Sequence, residues 1–149
     1  LPQRTLKLKL ACNKRSDLRV TIGIAGDKDA TKPEHELAPQ VLNGWPLFGK
    51  RKNNVGEVPL AGPGDDSPLE LGIDLTPLLN KLGPDHAGDG RLFLNFSCAE
   101  KSDATGMLHA CAIRYYDDQG SFVQESVVEV QDGTFGKKPL TLETILPQL

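Results

Sequence analysis

No apolar run in this chain approaches the ~20 residues a helix needs to cross a bilayer, and no basic stretch followed by an apolar one stands at Leu1. A membrane span is therefore not expected within these residues, while a leader cut away before Leu1 stays compatible with them. Basic charge is not in excess either. Twenty acids face 17 bases, for a formal net charge of -3 and a pI near 5.6, which argues against a general nucleic-acid binder that must neutralise phosphates. Cysteines number 3, and an odd count rules out a complete disulfide framework within one chain. The three histidines, His35, His86 and His109, have no zinc-type spacing with one another or with a cysteine pair. Also missing are a phosphate-binding Gly-Lys-Ser loop, a dinucleotide fingerprint after a strand and a Gly-x-Ser-x-Gly elbow, which lowers the case for an enzyme.

What the chain does have is turns and alternation. Fifteen glycines and 11 prolines in 149 residues, 38% of them hydrophobic, suit a single turn-rich domain over 1–149. Leu6, Leu8 and Leu10 alternate with Lys7 and Lys9, the period-two pattern of a half-buried strand. Leu18, Val20, Ile22 and Ile24 repeat it after a polar turn, so the two strands are a hairpin or neighbours across a sandwich. Arg4, Lys7, Lys9, Lys14, Arg15 and Arg19 read as solvated faces of these strands, and Lys50, Arg51 and Lys52 as a solvated loop.

Alternation lapses between Gly26 and Ser67 into a proline- and glycine-rich stretch, with short strands expected near Gln40–Leu42 and Gly56–Leu60. It returns at Leu69, Leu71, Ile73 and Leu75. Thr76 then reads as a helix N-cap, Pro77 suits the first helical position, and Leu78, Leu79 and Leu82 form a stripe before Gly83-Pro84. Strands follow at Arg91–Cys98, Met107–Tyr116, Ser121–Val130 and Pro139–Glu143. The middle two are joined by Asp117-Asp118-Gln119-Gly120, and the broken phase around Phe122–Val130 predicts a bulge near Glu125-Ser126. Many short strands with one helical turn predict an all-β fold, a two-layer antiparallel β-sandwich of jelly-roll type.

Several residues are candidates for chemistry. If Arg91–Cys98 and Met107–Tyr116 pair as a hairpin, the register that sets Cys98 opposite Cys111 also sets Phe96 opposite Ile113 and Leu94 opposite Tyr115. All six then point inward, and the two sulfurs come within reach of a disulfide without requiring one. Met107 and His109 share a side of their strand and would suit copper, but no second imidazole is near in sequence, so core packing is the preferred reading of His109. Acids gather in loops: Asp65 and Asp66, and Asp85 and Asp89. The Asp85–Gly90 stretch has the acid spacing that opens a calcium loop but lacks the closing glutamate, so turn formation is preferred and no cofactor is assigned. Trp45, the only tryptophan, reads first as packing over the core and second as a ligand platform.

The stretch Pro68-Leu69-Glu70-Leu71-Gly72-Ile73-Asp74-Leu75-Thr76-Pro77-Leu78-Leu79 resembles the strand, Asp-hydrophobic-Thr and helical turn of galactose-binding-like jelly rolls and of the paired jelly rolls of peptide-N-glycosidase F-type proteins. The resemblance implies a non-catalytic extracellular or periplasmic module of a larger secreted protein. Such a module binds a carbohydrate or packs against a neighbouring domain through its loops, with Trp45, Asp65, Asp66, Asp85 and Asp89 as ligand-binding candidates. The alternative is one jelly-roll half of a secreted hydrolase, of glycan amidase or glycosidase type, using loop carboxylates such as Asp65, Asp66 or Asp74. No residue of this chain matches a catalytic residue of the glycosidase family.

Overall fold

A computed structural model describes residues 3–14, 17–41, 69–83, 86 and 88–147. Among the described residues, nine strands and one short helix follow in the order β1 (Gln3–Cys12), β2 (Leu18–Ala25), β3 (His35–Val41), β4 (Leu69–Asp74), α1 (Thr76–Lys81), β5 (Gly90–Cys98), β6 (Gly106–Tyr116), β7 (Phe122–Val128), β8 (Thr134–Phe135) and β9 (Leu140–Leu146). They build an all-β sandwich. One sheet has the order β4-β1-β6-β7, with β8 also paired to β6, and the other has the order β3-β2-β5-β9. Every pairing is antiparallel.

Alternation decides the layers. Leu6, Leu8 and Leu10 of β1 and Val20, Ile22 and Ile24 of β2 are buried, and they face each other across the sandwich with Leu92, Leu94 and Phe96 of β5 and Ile113 and Tyr115 of β6. Lys7 and Lys9 point to solvent. Thus β1 and β2 are neighbours across the core, one of the two arrangements the sequence allowed. The central ladders β1/β6 and β2/β5 nest one inside the other, as in the rolled hairpin of a jelly roll. The next pair inward, β3 and β4, is divided between the edges of the two sheets.

The hairpin between β5 and β6 on which the Cys98–Cys111 register depended does not form. β5 pairs with β2 and β9, whereas β6 pairs with β1, β7 and β8, so the Cys98–Cys111 register is absent and all three cysteines are free thiols. The connection 99–105 crosses from one sheet to the other instead of reversing beside its own strand. The hairpin from β6 to β7 does form, with Gly120 at φ 82 in its turn and the Asp117 carboxylate accepting hydrogen bonds from the N–H groups of Gln119 and Ser121 at 2.9 and 2.8 Å.

Three local expectations shift. The β7 bulge falls at Val123, where Tyr115 pairs with Gln124 and Tyr116 with Phe122, two residues earlier than the phase suggested. β3 begins at His35 and carries Pro39 through a register irregularity on an edge strand, the one setting in a sheet that tolerates a proline. Thr76 is the first residue of α1 and not its cap. Leu75 occupies the N-cap position, held in the core by its N–H to Arg4 O at 2.9 Å, and the Asp74 carboxylate accepts from Thr76 N–H at 2.9 Å. The expected strand near Gly56–Leu60 and the loop residues Lys50, Arg51 and Lys52 lie outside the described residues.

Candidate functional site

The site begins with one extra residue. Along the β1/β6 ladder, Lys9 pairs with Ala110 and Leu10 with Leu108, so His109 is left without a partner and forms a β-bulge. Because side chains alternate strictly, one added residue exchanges the faces of everything on its far side. Leu108 and Cys111 are therefore both buried at 2% exposure, although three positions apart, while His109 and Ala110 both face out. This corrects the core reading of His109. Met107 is likewise turned outward, at 41% exposure, on the same side of the strand as His109.

Beside these two residues lies an open groove of ≈ 880 Å³, lined by Ala11 and Cys12 of β1, Thr105 and Met107, Asp132 and Thr134, and the segment Gly136–Pro139. Phe135 also lines it. That ring is buried and meets Phe96 of the other sheet with centroids 6.0 Å apart, tilted by 34°. Two glycines permit this approach. A Cβ at Gly106 would collide with the Phe135 ring, and a Cβ at Gly133 would collide with the Leu108 carbonyl. Gly133 O in turn accepts from Leu108 N–H at 2.8 Å, which ties the short strand β8 to β6.

The polar lining is partly fixed and partly free to meet a ligand. Asp132 Oδ1 accepts from Thr134 N–H at 3.1 Å and from Thr134 Oγ1 at 2.7 Å, and these bonds hold its carboxyl below the usual carboxylate range. Gly136 N–H donates to Lys138 O at 3.1 Å, a tight turn with Lys137 at its tip. Lys137 and Lys138 are both exposed. Two ammonium groups against one carboxylate give the groove a local excess of positive charge on a chain whose net charge is -3. Hydroxyls of Thr105 and Thr134 and the His109 imidazole add hydrogen-bonding groups, and Met107 and Pro139 add apolar surface.

The ligand candidates read from the sequence do not gather here. Trp45, Asp65, Asp66 and Asp85 lie outside the described residues. Asp89 is exposed just before β5, near Arg4 and Tyr115. Arg4 pairs with Tyr115 on β6, about 25 Å along that strand from Met107. Arg4 is itself a correction: it is 8% exposed, with its guanidinium 5.4 Å from the centre of the Tyr115 ring, and not a solvated strand residue. Burial pushes that guanidinium below its ordinary pKa, with Tyr115 and Asp89 opposing the shift. Asp74 serves α1, as described above. Among the described residues no three His, Cys, Asp or Glu side chains converge as metal ligands, and no helix is long and apolar enough to cross a membrane.

A second surface feature is the outer strand β7, where Phe122, Val123 and Val127 are 50%, 51% and 75% exposed. The Arg114 guanidinium lies 4.3 Å from the Phe122 ring centre and covers one side of it.

The fold and groove define a β-sandwich with an open, cationic, hydroxyl-bearing cleft. No protein-family model, curated protein or solved structure matches the chain.

Proposed function

We propose that this chain is a non-catalytic binding module that takes an acidic carbohydrate segment in the groove beside His109, as part of a larger extracellular or periplasmic protein. The observation that carries the reading is the groove itself. A bulge and two close-packed glycines turn what alternation alone would make solid core into a cleft of ≈ 880 Å³, within the range of ligand sites. Its chemistry matches a sugar acid. Lys137 and Lys138 meet carboxylates, Thr105, Thr134 and His109 meet hydroxyls, and Met107 and Pro139 meet the C–H faces of a ring. Catalysis is disfavoured because the groove's one carboxylate, Asp132, is committed to Thr134.

Calorimetric titration with polygalacturonate and with a neutral glucan of similar length tests this. The acidic polymer is expected to bind, more weakly as salt rises, and the neutral one to bind at least tenfold less. Equal binding of both polymers, or of neither, would overturn it. Packing against a neighbouring domain is the second reading, favoured by exposed Phe122, Val123 and Val127 on β7. It predicts that Val127→Lys leaves glycan binding unchanged.

A further inference from the structure

Near the groove, Asn13 and Lys14 after β1 and Asp17 before β2 lie against the connection 99–105 after β5. They are stitched together. Asn13 N–H donates to Thr105 O at 3.1 Å and Thr105 N–H returns to Asn13 Oδ1 at 3.0 Å. Ala99 N–H donates to Asp17 O at 2.7 Å, Ser102 Oγ donates to Asp17 Oδ2 at 2.6 Å, and Lys14 Nζ meets Asp103 Oδ1 at 2.6 Å. A cysteine stands at the start of each connection: Cys12 is the last residue of β1 and Cys98 the last of β5. The seam brings them to the same place: the Cys12 thiol donates to Lys14 O at 3.3 Å, Lys14 O also accepts from Asp17 N–H at 3.0 Å, and Cys98 directly precedes Ala99, whose N–H meets Asp17 O. Cys111 lies apart in β6, opposite Leu8 and Val128.

We propose that Cys12 and Cys98 are a redox pair that closes a disulfide between the two sheets when the protein meets a small disulfide oxidant. Cys98 is the half-buried, reachable partner and Cys12 the buried one. The Cys98 thiolate attacks one sulfur of the oxidant and releases the first small thiol, leaving a mixed disulfide on Cys98. Cys12, as thiolate, then attacks the Cys98 sulfur, forms the Cys12–Cys98 bond and expels the second small thiol. Two protein S–H protons end on the two small thiols, and the two electrons lost by the cysteines reduce the oxidant's disulfide. Because the resolving thiol stands at the same seam, the mixed disulfide is short-lived. The new bond closes a long loop across this seam, so it raises the melting temperature by about 10 °C.

Incubation of the whole chain with oxidised glutathione at mildly alkaline pH, followed by intact mass measurement, thiol counting and a non-reducing peptide map, tests this. The expected result is a fall from three free thiols to one, a peptide pair joined through Cys12 and Cys98, and a higher melting temperature that reductant reverses. Three remaining thiols, a stable glutathione adduct on Cys98, or a bond that includes Cys111 would overturn it. Cys98→Ser, at a half-buried position that disturbs the core least, is expected to abolish both the cross-link and the thermal gain. A gain that persists in that variant would count equally against the pair.

Discussion

Deleting one residue from the middle of a central β-strand ordinarily destroys a sandwich, yet the bulge predicts that this chain tolerates the loss of His109. Without it, the order Met107-Leu108-Ala110-Cys111 alternates regularly: Cys111 inward, Ala110 outward, Leu108 inward. The buried set on β6 is unchanged, and the existing pairs Lys9–Ala110 and Leu10–Leu108 become consecutive on both strands of an unbroken ladder. The expected cost is below about 2 kcal/mol, the scale of ordinary point changes. Deleting Ile113 is the control. It removes one fully buried side chain and turns either Leu108 and Cys111, each 2% exposed, or Tyr115, at 0%, to solvent. At about 1.5–3 kcal/mol for each large apolar side chain, the loss is about 4–7 kcal/mol, comparable with the whole stability of a domain. Urea unfolding followed by circular dichroism compares the two variants. If the His109 deletion proves as damaging as the Ile113 deletion, His109 is not the extra residue and the account of the groove fails with it.

Other outcomes follow from the same geometry. Lys137→Ala and Lys138→Ala are each expected to weaken polygalacturonate affinity by about threefold to tenfold and to flatten its salt dependence, with melting temperature unchanged, because both side chains are exposed. Gly106→Ala is expected to destabilise by about 1–3 kcal/mol, since its Cβ would drive into the Phe135 ring, and to weaken glycan binding by displacing that lining ring. Burial lifts the Cys111 thiol from an ordinary 9.0 to about 12. The unfolded thiol therefore loses its proton first as pH rises, so stability is full below pH 9 and declines between pH 9 and 12, by as much as about 4 kcal/mol from this group. A Cys111→Ala variant should lose that slope in urea titrations across the range. Burial first, then the neighbouring Cys12 and Asp17, raise Cys98 to about 11, with Arg19 opposing. Its alkylation by iodoacetamide should accelerate close to tenfold per pH unit between 7 and 10.

Much of the sandwich was legible because leucine alternation is a direct record of which side of a sheet is wet. Leu6, Leu8 and Leu10 against Lys7 and Lys9, and Leu92, Leu94 and Phe96 in β5, announce their faces without any knowledge of partners. Pairing was less legible, since alternation is the same whichever strand lies alongside. A hairpin of β5 and β6 was open to consideration, but their connection carries Ser102, Asp103 and Thr105, whose partners are Asp17, Lys14 and Asn13 far away in the sequence. The groove was missed for a different reason. Alternation extended back from Tyr115, Ile113 and Cys111 places His109 inside, and the contrary signal was Leu108, an apolar residue three positions before Cys111 with a histidine and a small alanine between them. The polar residues that line the cleft from β8 onward, Asp132, Thr134, Lys137 and Lys138, carry no spacing of their own. Only the short β8 pairing, which Gly106 and Gly133 permit, brings them to Met107 and His109.

The division of β3 and β4 between opposite sheets leaves the chain leaving one margin at Val41 and rejoining another at Leu69. Neither inner ladder depends on how far apart those two ends are in sequence. The fold is thereby built from the middle outward: either edge strand, β3 or β4, can fray from its own sheet while the central pairs keep their partners.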